Sequence, residues 1–184
     1  MLDLDANPRL RRLFWIAHYR VTLGFVVAAA AFWLATPSWR SLGLGALIAV
    51  GGEALRVWAA GHLRKGQEVT RSGPYLFVRH PLYCGSFAIG IGFVVAAADP
   101  IVAVMVVAYL TVTLLAASRL EEATLRAAFG EEFEQYARGS RAPSERRFSP
   151  SQVIANGEHR TLLGFAAALA ILGIKAWMSG GWVG

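Results

Sequence analysis

The stretch Gly73-Pro74-Tyr75-Leu76-Phe77-Val78-Arg79-His80-Pro81-Leu82-Tyr83 gathers groups able to hold a charged ligand. Pro81 fits the first turn of a helix, where its missing N–H costs nothing, and such a terminus carries unpaired N–H groups and the positive end of the helix dipole. An anion is favoured there. Arg79 and His80 add hydrogen-bond donors, and Tyr75 and Tyr83 add flat faces with hydroxyl tips. Taken singly, each has a plainer use: Arg79 reaching a lipid phosphate, His80 capping the helix, the tyrosines forming an interfacial belt.

A second stretch runs from Glu121-Glu122 through Leu125, Phe129-Gly130 and Phe133 to Tyr136. It reads as a helix that stops near Gly130 and is followed by an amphipathic turn or helix. The adjacent carboxylates Glu121 and Glu122 follow an apolar block directly, with Arg119 and Arg126 as nearby counter-ions, whereas Glu131, Glu132 and Glu134 read as a solvated face. Glu53 and Arg56, three apart inside another apolar block, share a helical face and are expected to pair. At ~1.5 Å per residue from Leu42 they lie ~16 and ~21 Å along that helix, away from the midplane where a transporter would bind its cargo.

The elements that must position these residues are apolar. Of 184 residues 55% are hydrophobic and 16% charged, with a mean hydropathy of +0.45, too apolar for one ordinary water-soluble domain. The apolar residues gather at Val21 to Ala35, Leu42 to Ala60, Leu82 to Ala98, Ile101 to Ala117 and Thr161 to Met178. Each block is near the ~20 residues that cross a ~30 Å hydrocarbon core, and Phe14, Trp15, Trp39, Trp177 and Trp182 suit the interfaces. The first block is read as a span and not a cleaved secretory signal, because Asp3 and Asp5 precede it and four further spans follow. Asn7 to Tyr19, within the first ~20 residues, reads equally as an interfacial helix or as the polar first turn of span one. Ala98, Asp99 and Pro100 leave room only for a turn, so the third and fourth blocks form a helical hairpin. Glycines at 43, 45, 51, 52, 85, 90 and 92 leave small faces for close helix packing, and Gly90-Ile91-Gly92 follows no strand and is no dinucleotide fingerprint.

Alternating sides across five spans puts the amino terminus, residues 61–80 and residues 118–160 on one face. That face holds every one of the eighteen Lys and Arg except Arg40, Arg56 and Lys175. The positive-inside rule makes it cytoplasmic and accounts for the net charge of +6 without a nucleic-acid partner. Cys84 is the sole cysteine, so there is no disulfide framework, and His18, His62, His80 and His159 show no metal-ligand spacing. The polar Gly139 to Pro150 stretch reads as a mobile linker.

In combination, G-P-Y-x3-R-H-P-x-Y followed after a short helical hairpin by E-E-x2-L-x3-F-G-x2-F-x2-Y resembles the integral-membrane methyltransferases that include isoprenylcysteine carboxyl methyltransferases and phospholipid N-methyltransferases. The resemblance covers about Glu53 to Phe148. It implies S-adenosylmethionine bound at the cytoplasmic membrane surface between the R-H-P-x-Y helix start and the E-E helix. Tyr75, His80, Pro81, Tyr83, Glu121 and Glu122 would hold this cofactor, and Arg79 and Glu122 would serve catalysis, Arg79 facing the acceptor. Phe133 departs from the family pattern, where tyrosine is common. The polar run to Phe148 is also longer than usual, and an extra apolar segment, residues 161–178, follows it.

The expected protein is therefore an all-α, polytopic transmembrane bundle of about five spans, one domain over residues 1–184, with its cofactor site built from cytoplasmic loops. Its expected home is a bacterial inner membrane, its partners the bilayer and a lipid or prenylated acceptor. Metal and nucleic acid are not expected. Methyl transfer from a sulfonium needs placement and desolvation more than a metal or covalent nucleophile. Two other readings use the same architecture: a membrane reductase of the sterol-reductase kind with NADPH, and a non-enzymatic scaffold or transport subunit. The acceptor's reacting group (carboxylate, amine or thiol) is left open.

Overall fold

The computed structural model describes residues 8–139 and 146–180. Asp3, Asp5, Trp182 and the centre of the Gly139–Pro150 stretch lie outside the described residues. Among the described residues seven helices follow in order: α1 (Pro8–Leu34), α2 (Trp39–His62), α3 (Pro81–Ala97), α4 (Pro100–Phe129), α5 (Glu131–Ala137), α6 (Pro150–Ala155) and α7 (Glu158–Met178), with a 3₁₀ turn at Gly73–Leu76. Among the described residues there is no strand, and the fold is an all-helical bundle.

Among the described residues four helices are long and apolar enough to cross a membrane: α1 from Leu10 onward, α2, α4 and α7. The expectation of five spans differs at α3, which has 17 residues. Pro81 opens it and Ala98, left-handed at φ 50°, closes it, leaving ~25 Å of helix, just under a ~30 Å hydrocarbon core. Residues 8–34 form one unbroken helix through both the Arg-bearing start and the first apolar block.

Helix α3 lies tightly against α2. A Cβ on Gly52 would stand 2.7 Å from the Gly85 carbonyl oxygen, so only glycine permits that approach. Gly45 and Gly92 make the same kind of contact, while Gly43 and Gly51 face open space. The α3–α4 connection is the expected turn, with the Asp99 carboxylate accepting from the Val102 N–H and Pro100 at the first helical position. The α1–α2 turn joins it, Thr36 N–H donating to the Ala97 carbonyl at 2.8 Å. Lys175 of α7 closes the same end by donating to the Phe32 and Trp33 carbonyls. Helices therefore alternate in direction, and the segments after α2 and α4 meet at the opposite end.

The bundle is packed small side in. Its core holds Ala31, Ala35, Ala96, Ala97, Val102 and Leu172, while Phe25, Trp33, Leu47, Val104, Leu163 and Trp177 point outward, Trp33 at 85% exposure. Such a surface needs lipid around it, and the chain is an integral membrane protein.

Candidate functional site

Cleft-end geometry begins with two helix boundaries. Helix α3 starts at Pro81 with His80 as its N-cap residue, but the His80 side chain makes no capping bond. It turns instead toward α4, where His80 Nε2 lies 3.1 Å from Glu122 Oε1 and Nδ1 lies 3.9 Å from Glu121 Oε2. Glu122 also meets Arg79 at 3.6 Å and Arg126 at 3.9 Å. The two stretches with chemical potential thus meet in space, 42 residues apart in sequence.

The adjacent carboxylates divide the work. Glu122 is largely enclosed by its cationic neighbours, whereas Glu121 is more exposed and lines a cleft together with Tyr75, Arg79 and His80. Tyr83 sits beside it, its ring 5.6 Å from that of His80 and its hydroxyl interacting with Glu121 and Arg20. Pro81 is buried beneath the cleft and does not line it. Of the sequence-derived site residues, Tyr75, Arg79, His80, Tyr83, Glu121 and Glu122 come together, and Pro81 sets the helix start.

Other walls were given no site role from sequence, although Leu125, Phe133 and Tyr136 stood within the second stretch. Val69 and Thr70 of the loop after α2, Leu125 of α4, and Phe133 and Tyr136 of α5 line the same cleft. Gly130, at φ 50°, ends α4 and lets the chain turn so that α5 folds its Phe133 and Tyr136 inward. The Tyr136 hydroxyl donates to the Tyr75 carbonyl at 2.9 Å, locking α5 onto the 3₁₀ turn. The F-x2-Y spacing at the end of the second stretch was the available signal, while the loop residues carry no periodicity. Glu131 and Glu132 lie on the solvated face expected of them and Glu134 is half-buried beside it, and from there Glu132 pairs with Arg71 at 2.8 Å and Glu134 with Arg126 at 2.7 Å. Those pairs pin α5 to the loop and to α4.

The expected Glu53–Arg56 pairing is corrected by the structure. Arg56 reaches across to α7, where Nη2 and Nε bind the two oxygens of Glu158 at 2.8 and 3.1 Å. It also donates to Ser86, the Leu82 carbonyl and Thr161. Both Glu53 oxygens are buried without a hydrogen-bond partner among the described residues. A residue on the same helix face lost to a partner on another helix because the planar fork of Arg matches a carboxylate bidentately.

Chemically, the cleft accommodates both signs of charge. Glu121 and the faces of Tyr75, Phe133 and Tyr136 favour a cation, while His80, Arg79 and the start of α3 favour an anion. The Thr70 hydroxyl lines the cleft, buried and without a partner among the described residues, so hydrogen-bonding capacity is left over for a ligand. Burial, reinforced by Glu121, pushes the Tyr75 phenol well above its ordinary pKa, so it stays a neutral hydroxyl.

Fold and site together define a polytopic helical membrane protein with a loop-walled, zwitterion-compatible cleft at one end. The family model for phospholipid methyltransferases matches residues 19–132, more than half of the chain, and the chain belongs to that family of membrane methyltransferases. The match takes in α2 to α4 and both halves of the His80–Glu122 contact, and stops before Phe133, Tyr136 and α7. No curated protein and no solved structure matches the chain.

Proposed function

We propose that this protein transfers a methyl group from S-adenosylmethionine to a lipid or prenylated acceptor at the cytoplasmic membrane surface. The observation that carries this reading is the convergence of Arg79-His80 with Glu121-Glu122 on one cleft in a chain of this family. When bound, S-adenosylmethionine supplies a methyl group on a cationic sulfur, displaced in line with a neutral thioether leaving. Glu121, Tyr75 and Tyr83 would hold the positive part of the cofactor; His80, Thr70 and the α3 terminus opened by Pro81 would hold its carboxylate. Glu122 fixes His80 and Arg79 relative to one another. Arg79, 43% exposed at the rim, orients an anionic group on the acceptor. An ammonium acceptor must lose a proton before it can attack, and a carboxylate of the adjacent Glu121–Glu122 pair would take it.

Calorimetry in detergent checks the cofactor assignment. His80→Ala and Glu121→Ala should each weaken S-adenosylmethionine binding by on the order of 1.5 to 3 kcal/mol, the loss of a charged hydrogen bond, with helix content by circular dichroism unchanged. Undiminished affinity in both variants would remove the assignment, and tight NADPH binding would replace it with a reductase.

The cytoplasmic side follows from the Arg excess at the cleft end. With Cys84→Ala as background, a single cysteine at the exposed Gln67 should resist membrane-impermeant thiol reagents in intact cells and react after lysis. Labelling from outside would put the cleft in the wrong compartment for its cofactor.

A further inference from the structure

We infer that residues 146–156 form a strap that positions the loop wall of the cleft, with Arg146 as the positioning residue and Glu68 as the wall side chain through which it acts. The hold on the wall stands on geometry; its effect on the cofactor rests on the methyl-transfer reading. Leu63, Lys65, Glu68, Val69 and Thr70 supply one side of the cleft. They sit on an irregular segment between α2 and the 3₁₀ turn, whereas the facing side is carried by α4 and α5. A segment without a helical or strand ladder keeps its shape only where other parts of the chain fix it. This one also carries a cost. The Thr70 and Ser72 hydroxyls are buried without a partner among the described residues, which favours a looser wall that lets water reach them.

Among the described residues three polar contacts pin the wall. Where it begins, the Asn156 side-chain amide donates to the Ala60 and Leu63 carbonyls at 2.8 and 2.9 Å, satisfying acceptors left over at the end of α2. At its middle, Arg146 makes a bidentate pair with Glu68 at 2.5 and 2.8 Å. At its far end, Arg71 pairs with Glu132 of α5. The strap is itself seated on α2: the Ser149 N–H donates to the Gly61 carbonyl, and the Phe148 ring lies against Gly61, where a Cβ would displace it. The stretch before α6 reads as a linker, yet its described end is thus bound. Arg146 and Asn156 lie beyond the 19–132 segment shared with the family, so those two pins are this chain's own addition. Arg146 does not line the cleft and acts on it through Glu68 alone. The cleft encloses about 40 Å³, far less than the roughly 300–1,000 Å³ of ligand pockets. A nucleoside-sized ligand therefore enters only if a wall yields, and the irregular segment is the wall with no helix beneath it. The Arg146–Glu68 pair holds that wall in place, and release of a bound ligand requires it to yield again.

Hydrogen–deuterium exchange of the full chain in detergent reads the wall, and a chase of radiolabelled S-adenosylmethionine with unlabelled cofactor reads its residence. Arg146→Ala should speed both exchange at residues 63–72 and cofactor dissociation by about two- to fivefold, the range open to a partly exposed ion pair, with the thermal unfolding midpoint near that of the parent. Arg146→Lys keeps the charge without the fork and should fall between the two. Arg147→Ala, at the exposed neighbouring position, should match the parent. Asn156→Ala, which frees the start of the wall, should move both rates in the same direction as Arg146→Ala. Unchanged dissociation in Arg146→Ala and Asn156→Ala, or a lowered unfolding midpoint with wall exchange and residence intact, would overturn the inference. A parent that binds no S-adenosylmethionine while Arg146→Ala still loosens the wall would instead sink the methyl-transfer reading and leave the strap standing.

Discussion

Two arginine–carboxylate sites lie at the ends of α2 and α4, and they are built on opposite plans. Arg56 spends all three guanidinium nitrogens on Glu158, Thr161, Ser86 and the Leu82 carbonyl, binding α2, α3 and α7 at one point. Arg79 makes a single ion pair, at 3.6 Å to Glu122, and no hydrogen bond among the described residues. Arg56 is 15% exposed and Arg79 43%. A guanidinium with every donor used holds a bundle together and can do nothing else, whereas one with donors to spare at a cleft rim can meet a ligand. The same contrast separates Glu122, shared by His80, Arg79 and Arg126, from Glu53, which has no hydrogen-bond partner among the described residues. Saturation marks structure; unspent capacity marks where a ligand is to be expected.

The largest effect should come from Arg56. Arg56→Met leaves Glu158, 6% exposed, as an uncompensated buried charge, at a cost of about 3 to 5 kcal/mol. Adding Glu158→Leu should recover most of that loss, because a well-packed apolar pair can replace a buried ion pair. Thermal unfolding in detergent reads both. A single variant as stable as the parent would show that the pair does not hold the bundle, and the contrast with Arg79 would collapse.

A smaller effect should follow Glu122→Ala, which releases His80, Arg79 and Arg126 together. Because Arg79 and Arg126 are half exposed, stability should fall by only about 1 to 2 kcal/mol. Cofactor affinity should fall as well, since His80 loses its anchor. Arg56→Met/Glu158→Leu, by comparison, should leave cofactor affinity near that of the parent. If the Glu122 variant lost stability alone, its cluster would be a second structural clamp.

Legibility from sequence follows the same division. The turn at Ala98–Pro100, the stop at Gly130 and the α3 start at Pro81 were readable because each depends on a residue whose backbone preference is local. The meeting of His80 with Glu121 and Glu122 was readable through the family resemblance, and antiparallel α3 and α4 bring those ends together. Arg56 misled because helical spacing reports neighbours on one helix and says nothing of α7, which supplies its partner 102 residues later. The cleft walls at Val69 and Thr70 were silent because an irregular loop has no period, whereas Tyr136 stood in the F-x2-Y spacing but its role did not show, because its hydroxyl is satisfied by a carbonyl, Tyr75's, that any residue would offer.

The smallest expected change in binding, and the sharpest discrimination, belongs to Arg79→Lys. If Arg79 only anchors the start of α3 by reaching lipid phosphate, lysine performs the same task with its own flexible stem and turnover stays near normal. If Arg79 orients an anionic group on the acceptor, the planar fork is needed, and a point charge is a poor substitute. In either case the 3.6 Å pair with Glu122 is half exposed and replaceable, so S-adenosylmethionine affinity should move by less than about 1 kcal/mol. Turnover with an amphiphilic acceptor that carries an anionic group is then the deciding measurement, because that anion is what the Arg79 fork would grip. A clear fall in turnover at unchanged cofactor affinity places the spare donors of Arg79 on the acceptor. Equal turnover of the two proteins reduces Arg79 to an anchor, and unspent hydrogen-bonding capacity would then cease to separate the two arginines by function.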